Sequence, residues 1–336
     1  MIDSEKKTLN WGLLATGTIA HKFAAALNAM QDQSNILYAC GSRTKEKVES
    51  FAAEFGIPEA RAYGSYEALL KDPDVDIVYI STPNDSHGTW TRAALEAGKH
   101  VLCEKPFVTS SAEARELFGL AAAKGLFLME GIWTYHLPLI KKAEELIAAG
   151  TIGEIVYANA EYGFLSFGAR RERKFKSGLG GGALLDIGIY NLAFMHQMLG
   201  GFLKEFTGEP KLNEFGTDYF SHIVAEYDCG ATVSMTASIG LDLGTPGAVY
   251  GTEGKLEFPN YQIAEHMVLT KNNGTAERYD MPLEINGFEY EIRECFNCIA
   301  EGKTESDRLP AKVSISHMEE LERIRAQWGM KFSFEQ

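Results

Sequence analysis

Cysteine is scarce in this sequence. Five cysteines occur in 336 residues, and only Cys295 and Cys298 lie close together, with no second pair to complete a zinc site. This usage excludes a disulfide scaffold and predicts reduced, packed thiols in a cytoplasmic protein. No cluster of His, Cys and carboxylate residues has a recognisable metal spacing, so no metal is predicted.

Long apolar runs and excess positive charge are also missing. The least polar long window, residues 183–202, contains an aspartate, an asparagine and a histidine, so it falls short of the roughly 20 apolar residues that span a bilayer. The polar first ten residues are followed by too short an apolar stretch for a secretion signal. With 32 basic and 46 acidic residues, the net charge of −14 repels polyphosphates and anionic lipids. We therefore expect no nucleic-acid and no membrane partner.

The remaining composition is that of a globular protein, and the length favours two domains. Over residues 1–130, apolar runs of strand length alternate with amphipathic stretches, which predicts an α/β domain with a doubly wound parallel sheet. A capping box, Ser110 with Glu113, marks the start of its last helix. The predicted strands are Leu9–Ala15, Ile36–Gly41, Asp76–Thr82, His100–Cys103 and Phe127–Glu130, and the predicted helices are Ile19–Met30, Lys45–Phe55, Tyr66–Leu70, His87–Ala97 and Ala112–Ala123.

Residues 131–336 have a different pattern. Strands with partial alternation between helices predict an α+β domain with a large, mostly antiparallel sheet. A second capping box, Ser316 with Glu319, is expected near the start of the last helix. The predicted helices are Pro138–Ala149, Leu184–Leu199, Phe288–Ala300 and Ile315–Trp328, and the predicted strands are Ile155–Phe164, Ser221–Tyr227, Ala231–Ile239, Lys255–Phe258 and Met267–Thr270.

The turn after the first strand is a variant of the dinucleotide-binding fingerprint, with Ala15 and Ala20 in the first and third glycine places. The central Gly17 precedes the first helix, where a missing side chain lets the backbone approach a pyrophosphate. The alternative is a generic tight turn. On the first interpretation the cofactor-binding residues are Ala15, Thr16, Gly17, Thr18 and Ile19.

The end of the second strand indicates which cofactor is preferred. Ser42, Arg43 and Thr44 follow this strand, and no carboxylate appears until Glu46. An acidic residue here would bind the ribose 2′-hydroxyl of NAD, whereas an arginine accommodates a 2′-phosphate. NADP is therefore predicted, with NAD as the alternative cofactor; Arg43 is otherwise a solvated surface residue.

Two later strands end in loops that belong at the same edge of the sheet. The cofactor-binding candidates there are Thr82, Pro83, Asn84, His87, Glu104 and Lys105. A lysine held between a buried strand and a proline is partly desolvated, and it is then available as an electrophile or a proton-relay partner. The alternative is that Lys105 is a strand-end residue whose amine simply reaches water.

A third signal lies in the second domain. Gly180, Gly181 and Gly182 precede a helix in which Asp186 and Tyr190 are four residues apart and so share one face. Both are costly to bury unless they are paired or face a polar site. A phenol becomes a useful acid or base near neutrality when a cation lies beside it. A core tyrosine hydrogen-bonded to Asp186 is the alternative interpretation.

Together these motifs resemble the Gfo/Idh/MocA oxidoreductase family over nearly the whole chain. Three further segments are most similar to its branch of dimeric dihydrodiol dehydrogenases and NADP-dependent D-xylose 1-dehydrogenases: Glu130–Thr134, Gly287–Ile292 and Ile324–Gly329. The resemblance implies an N-terminal NAD(P)-binding Rossmann domain, residues 1–130. It also implies a substrate-binding and oligomerisation domain, residues 131–336.

The resemblance also implies residue roles. Lys105 matches the lysine that binds the substrate oxygen and the cofactor ribose, Asp186 the carboxylate that orients the substrate, and Tyr190 the acid or base. Trp133 matches an aromatic residue that lines the substrate pocket, and Pro106 is expected to follow a cis peptide bond. Lys105, Asp186 and Tyr190 are thus the predicted catalytic residues, and with Trp133 they are also the predicted substrate-binding residues.

Two features depart from that branch. Tyr135-His136 stands where an arginine followed by an aromatic residue is usual, and residues 170–174 form an unusually basic run, Arg-Arg-Glu-Arg-Lys. We expect substrate specificity to depend on loop residues such as Tyr135 and 164–176. The basic run is interpreted as a solvated loop, the alternatives being closure over the NADP phosphates or over an acidic sugar.

The predicted protein is an NADP-preferring dehydrogenase or reductase that acts on CH–OH groups of a sugar, a polyol or a cyclic diol. A homodimer or homotetramer formed through the C-terminal sheet is implied by the resemblance. Two other functions remain open: a non-catalytic, NAD(P)-binding regulator that responds to sugars, and a redox-neutral enzyme that retains its nicotinamide.

Overall fold

The computed structural model describes residues 8–31, 34–168, 174–175 and 181–331. The packing of this part separates into two compact units. The first contains the chain up to Trp133 together with Glu284–Ile315, and the second contains Thr134–Leu283 together with the chain from Ser316 onward. No helix of the described part has the length and apolar character that crossing a membrane requires.

The first unit is built on a six-stranded parallel sheet with the strand order β3-β2-β1-β4-β5-β6. Most of its strands are buried on both faces, which explains their continuous apolar sequences. The strands are β1 (Leu9–Leu14), β2 (Asn35–Gly41), β3 (Ala62–Tyr63), β4 (Ile77–Ile80), β5 (His100–Glu104) and β6 (Leu128–Gly131). The helices are α1 (Thr18–Ala29), α2 (Lys45–Phe55), α3 (Tyr66–Leu70), α4 (His87–Glu96), α5 (Ser111–Lys124) and, late in the chain, α8 (Phe288–Ala300).

Helix α8 packs with the parallel-sheet unit although it lies far along the chain. Phe288 contacts Phe23 of α1 with ring centroids 5.7 Å apart, and the amide of Asn286 donates to the carbonyl of Lys22 at 2.9 Å. The division into domains at residue 130 stays a prediction.

The second unit contains an eight-stranded sheet with the order β14-β13-β12-β11-β7-β10-β9-β8. Every neighbouring pair is antiparallel except β7 with β10. The strands are β7 (Ile155–Gly163), β8 (Leu203–Leu212), β9 (Asp218–Tyr227), β10 (Thr232–Ser238), β11 (Gly247–Gly251), β12 (Gly254–Phe258), β13 (His266–Lys271) and β14 (Ala276–Asp280). The helices beside it are α6 (Pro138–Ala148) and α7 (Ile189–Leu199), and α9 (Ala311–Gln327) begins in the first unit's segment.

The predicted fold class is confirmed, with corrections in detail. The edge strands β8 and β14 were not predicted, because β8 contains Pro210 and β14 is polar and mostly exposed, as only an edge strand tolerates. Helix α9 begins four residues before the predicted Ile315. The Glu305 carboxylate accepts the Ala311 N–H at 2.7 Å and caps this helix, so Ser316 lies inside it.

Ser110, in contrast, caps α5 as predicted, accepting the Glu113 N–H at 3.4 Å. The predicted helix Leu184–Leu199 begins with one π turn, Leu184–Gly188, and continues as α7. Such turns are frequent at functional sites, and this one contains Asp186.

Candidate functional site

The turn after β1 presents backbone amides to solvent. Ala15 has a left-handed φ of 83°, and its N–H donates to the Gly41 carbonyl at 3.0 Å. Gly17 precedes α1 with extended backbone, and no side chain of the described residues caps this helix. A Cβ at Gly17 would meet nothing within 4 Å, so the space beside it is open. The exposed first turn of α1 is thus suited to an anionic group such as a pyrophosphate.

The residues after β2 combine one buried hydroxyl with one exposed cation. The Ser42 hydroxyl is buried and accepts the Thr44 N–H at 3.3 Å. Arg43 is exposed, and its guanidinium lies close enough to the hydroxyl of Tyr66 to influence the pKa of that group. Burial raises the pKa of Tyr66, and the neighbouring Arg43 opposes that rise. Because Tyr66 packs edge-on against Trp90 at 4.8 Å, the partner of the guanidinium is itself fixed.

His87 links the loops that follow β4 and β5. Its ring nitrogens lie 2.9 Å from the carbonyl oxygen of Thr82 and 2.9 Å from that of Pro106. The ring is buried, and this burial lowers the pKa of His87. The buried ring contacts both loops at once, which makes His87 a residue that positions the loops on which Thr82, Pro83, Asn84 and Lys105 lie.

Lys105 lies directly after β5 in a fixed backbone. The peptide bond between Lys105 and Pro106 is cis, as the resemblance implied. The Tyr79 hydroxyl donates to one carboxyl oxygen of Glu104, and the Lys105 N–H donates to the other at 3.3 Å. Burial raises the pKa of Glu104. The Glu104 carboxyl group is therefore engaged within the unit and anchors the backbone of Lys105.

Trp133 lies beyond the end of β6 against Phe288, with ring centroids 5.2 Å apart. Its indole N–H is buried and has no hydrogen-bond partner within the described part of the chain. Nearby in the same unit, Glu291 is fully buried and makes no hydrogen bond to a described residue, and burial, reinforced by Glu104 and Glu289, raises its pKa well above the usual range. Nothing in the sequence pattern distinguished Glu291 from the exposed acids of an amphipathic helix.

In the second unit, Asp186 and Tyr190 lie one turn apart where the π turn meets α7. Tyr190 is buried, with its ring 5.7 Å from that of Tyr162 on β7. Asp186 forms an ion pair with Lys174. The predicted solvated loop is therefore wrong for Lys174, which is 9% exposed. Gly180 and Arg170–Arg173 lie outside the described residues. Lys105 belongs to the first unit, whereas Asp186 and Tyr190 belong to the second.

Asp218 is a residue of this site that sequence reasoning missed. It is fully buried at the start of β9, and its carboxylate accepts the Leu184 N–H at 2.8 Å. A Cβ at Gly182, which has a φ of 118°, would lie 2.4 Å from Asp218 Oδ1. Asp218 therefore fixes the glycine-rich turn from which the helix of Asp186 and Tyr190 begins. A single aspartate at a strand start carries no recognisable signal.

Tyr135 was expected to influence specificity, but its side chain lies in a buried network. Its hydroxyl lies 3.0 Å from His196 Nδ1 and 2.8 Å from His317 Nε2. His317 in turn contacts Glu320 at 3.0 Å. With 2% of its surface exposed, Tyr135 ties α7 to α9. Across the described ranges, no group of three or more His, Cys, Asp and Glu side chains is arranged to hold a metal ion.

Comparison with known proteins identifies similar chains over the full length. A family model described as an oxidoreductase family with an NAD-binding Rossmann fold matches residues 9–132, and a Gfo/Idh/MocA C-terminal domain model matches residues 140–257. A D-xylose 1-dehydrogenase (NADP(+)) from Hypocrea jecorina is 36% identical, covering 99% of this chain and 95% of that protein. A trans-1,2-dihydrobenzene-1,2-diol dehydrogenase from Mus musculus is 33% identical, covering 96% and 98%.

Solved structures agree with these matches. An aldose-aldose oxidoreductase from Caulobacter crescentus, complexed with glycerol, has a TM-score of 0.87 and 25% identity over 96% of this chain and 98% of that one. A 3-ketoreductase from Actinomadura kijaniata, in complex with TDP-benzene and NADP, has a TM-score of 0.82 and 25% identity over 95% and 97%. The resemblance stated from the sequence motifs is confirmed.

Proposed function

Because the chain belongs to the Gfo/Idh/MocA oxidoreductase family, we propose that it is an NADP-preferring dehydrogenase or reductase of sugar, polyol or cyclic diol CH–OH groups. Relatives that match over nearly the whole chain are named as a D-xylose 1-dehydrogenase (NADP(+)) and a trans-1,2-dihydrobenzene-1,2-diol dehydrogenase. One observation carries the proposal for this chain: Asp186 and Tyr190 lie one turn apart at the start of α7. A hydroxyl group can be oriented and deprotonated by such a pair.

The described residues fit a nicotinamide dinucleotide. The open space at Gly17 and the uncapped start of α1 suit the pyrophosphate. The exposed Arg43, with Ser42 and Thr44 beside it, suits the 2′-phosphate of NADP, since no carboxylate competes there. We assign nucleotide binding to residues 1–130 and substrate binding to residues 131–336. When bound, the nicotinamide accepts or supplies the hydride.

In the direction of oxidation, Tyr190 Oη takes the proton of the substrate hydroxyl as the hydride leaves the carbon that carries this hydroxyl. The Lys105 ammonium stabilises the negative charge that develops on the substrate oxygen, and the Asp186 carboxylate orients the hydroxyl by accepting a hydrogen bond. Trp133 contributes an apolar wall. Reduction uses the same groups in reverse, with Tyr190 donating the proton.

The proposal is tested by following absorbance at 340 nm with NADP⁺ or NAD⁺ and a panel of aldoses, inositols and cyclic diols. Tyr190→Phe should lower turnover by about 10²-fold to 10⁴-fold while the Kd for NADPH changes little. Tyr250→Phe, on β11 of the eight-stranded sheet, is the matched control. Binding of NADPH without turnover of any substrate in either direction would contradict the enzymatic proposal and favour a sugar-responsive regulator.

Cofactor preference has a separate test. Arg43→Ala removes a charge-assisted contact worth about 1.5–3 kcal/mol, so KM for NADP⁺ should rise by about tenfold to a hundredfold. KM for NAD⁺, which has no 2′-phosphate, should change much less. Lys45→Ala is the control, because Lys45 is the first residue of α2, directly after that loop, and contacts Glu49 at 3.5 Å. An equal rise for both cofactors would argue against recognition of the 2′-phosphate by Arg43.

We further propose a cytoplasmic homodimer or homotetramer that associates through the eight-stranded sheet. All five cysteines are free thiols, and only Cys229 is exposed, as a reducing compartment allows. Strand β9 alternates buried and exposed residues, and its exposed face includes the apolar Val224. Light scattering on a sizing column should report the oligomer, and Val224→Asp should weaken it. A monomer at micromolar concentration would contradict this part of the proposal.

A further inference from the structure

Lys174 occupies an unusual position for a residue of a strongly basic segment. Its ammonium donates a hydrogen bond to Asp186 Oδ2 and lies 4.7 Å from the centre of the Phe164 ring. The Lys174 side chain is 10% exposed and that of Asp186 is 19% exposed. The pair is therefore largely shielded from water. A shielded ion pair interacts more strongly than one at the surface.

The backbone of this segment is held by the rest of the second unit. The Lys174 carbonyl accepts the Gly182 N–H at 2.9 Å. The Phe175 carbonyl accepts the Thr217 hydroxyl at 2.8 Å and the Asn213 amide at 3.3 Å. The Phe175 ring packs in a buried apolar cluster with Ala183, Ile187, Ala237 and Ile239. Lys174 is thus placed by contacts with the helix start and with the β8 to β9 turn.

The chemistry of the pair favours a role in the reaction. A partly buried carboxylate without a cation tends to take up a proton, and a protonated Asp186 would donate to a substrate hydroxyl where the proposed role requires an acceptor. A cation fixed on one carboxylate oxygen keeps the group charged and restricts its rotation. The cation–π contact with the Phe164 ring further limits where the Lys174 ammonium can move.

We propose that Lys174 is a positioning residue of the proposed dehydrogenase, which acts through Asp186 to orient the substrate hydroxyl. The inference rests on the proposed function. Its consequence is specific: loss of the ammonium impairs the substrate step and leaves cofactor binding in the other unit unaffected. A purely structural role for Lys174 predicts instead that substrate and cofactor parameters deteriorate together with stability.

The test is a set of four variants assayed with whichever panel substrate the wild type oxidises. Lys174→Met keeps the length of the side chain and removes its charge, and Lys174→Arg restores the charge. Asp186→Asn and the Lys174→Met/Asp186→Asn double variant complete a cycle. Lys204→Met is the matched control, since Lys204 pairs with Glu226 at 2.8 Å on the exposed side of the sheet. The readouts are kcat, KM, the Kd for NADPH from fluorescence quenching, and Tm.

We expect Lys174→Met to lower kcat/KM by about tenfold to a hundredfold, the usual range for a charge-assisted hydrogen bond. Lys174→Arg should recover most of this loss. The Kd for NADPH should stay within about twofold of wild type, and in the Asp186→Asn background the Lys174→Met change should cost little more. Lys204→Met should resemble wild type throughout.

Independent losses from Lys174→Met and Asp186→Asn would overturn the inference, because residues that act through one another are not additive. So would full activity of Lys174→Met. Silence of the wild type on the whole panel is a different result: it contradicts the proposed function itself, and the assigned role of Lys174 falls with it. Turnover by the wild type with an unchanged Lys174→Met contradicts only the role of Lys174.

Discussion

Asp218 makes the stability of the second unit depend on pH in an unusual direction. Its carboxyl group is fully buried and accepts the Leu184 N–H at 2.8 Å. Burial raises the pKa of Asp218 to about 6, against an ordinary value of 3.8, although the hydrogen bond to Leu184 opposes the rise. Between pH 3.8 and about pH 6, the folded protein therefore keeps a proton on Asp218 that the unfolded chain has released. Asp218→Asn keeps the shape and an oxygen for the Leu184 N–H but removes the ionisation.

The magnitude follows from the size of the shift. A difference of about two units corresponds to about 3 kcal/mol at about 1.4 kcal/mol per unit. Because the folded-state pKa is the higher one, the stability that the neutral group contributes is complete below about pH 4 and is lost as the pH rises through about 6. At pH 7.5 the wild type holds a buried charge at full cost. Asp218→Asn holds none at any pH.

The assay is urea unfolding of wild type and Asp218→Asn at pH 4.5 and at pH 7.5, followed by circular dichroism. Between pH 4.5 and pH 7.5 the variant should become about 2 kcal/mol more stable relative to the wild type, whatever their difference at pH 4.5. Asp228→Asn, at the exposed far end of the same hairpin, controls for surface charge. A wild-type to variant difference that is the same at both pH values would refute the argument, since it would mean that Asp218 is equally charged in the folded and unfolded chain.

Three further predictions concern other residues. Gly17→Ala should fold normally, because its Cβ meets nothing within 4 Å, yet it should raise the Kd for NADPH at least about tenfold. Its control, Gly119→Ala on the exposed face of α5, should leave that Kd unchanged and add about 0.5–1 kcal/mol of stability. Glu291→Gln should change the free energy of unfolding at pH 7 by less than about 1 kcal/mol, because burial favours the neutral form of the carboxyl group; a loss above about 2 kcal/mol would show that the charged form is needed. Burial lowers the pKa of His196 to about 3, so up to about 5 kcal/mol of stability present above pH 6.5 is lost on acidification, and His196→Phe should move the acid-unfolding midpoint to lower pH; an unmoved midpoint would contradict this.

The parallel-sheet unit was largely predictable because its signals are local. Buried parallel strands are continuous apolar runs, so β1, β4 and β5 are recognisable from a few neighbouring residues. The edge strands of the other sheet were missed because most of their residues face water, so the sequence there shows no regular alternation of apolar and polar residues. Helix α9 was placed too late because its cap, Glu305, lies six residues before the helix begins and matches no capping motif.

For the candidate site, the residues within the glycine-rich motif were predictable from the sequence, whereas the residues that pack against the motif were not. Asp186 and Tyr190 stand in a contiguous motif, and the spacing alone indicated a shared helix face. Lys174 and Asp218 were not identified, since what matters about them is their burial. In the sequence Lys174 is one more cation in a basic run, and only its burial and its ion pair with Asp186 show that its side chain is not solvated. Tyr135, which was expected to influence specificity, forms a buried link between helices, and its effect on specificity stays a prediction.

Lys174 and Asp218 escaped prediction for the same physical reason, and that reason has a consequence for function. The motif determines which groups are present at the helix start, but the contacts that hold them come from Lys174, 12 positions before Asp186, and from Asp218, 34 positions after Leu184. Lys174 pairs with the Asp186 carboxylate, and Asp218 fixes the turn that precedes Asp186. Two chains with the same glycine-rich motif can therefore differ in how firmly the carboxylate is held as a hydrogen-bond acceptor. If the variants of Lys174 and Asp218 alter kcat/KM while Tyr190 and Asp186 are untouched, the activity of a chain with this motif depends on residues outside the motif that fold against it.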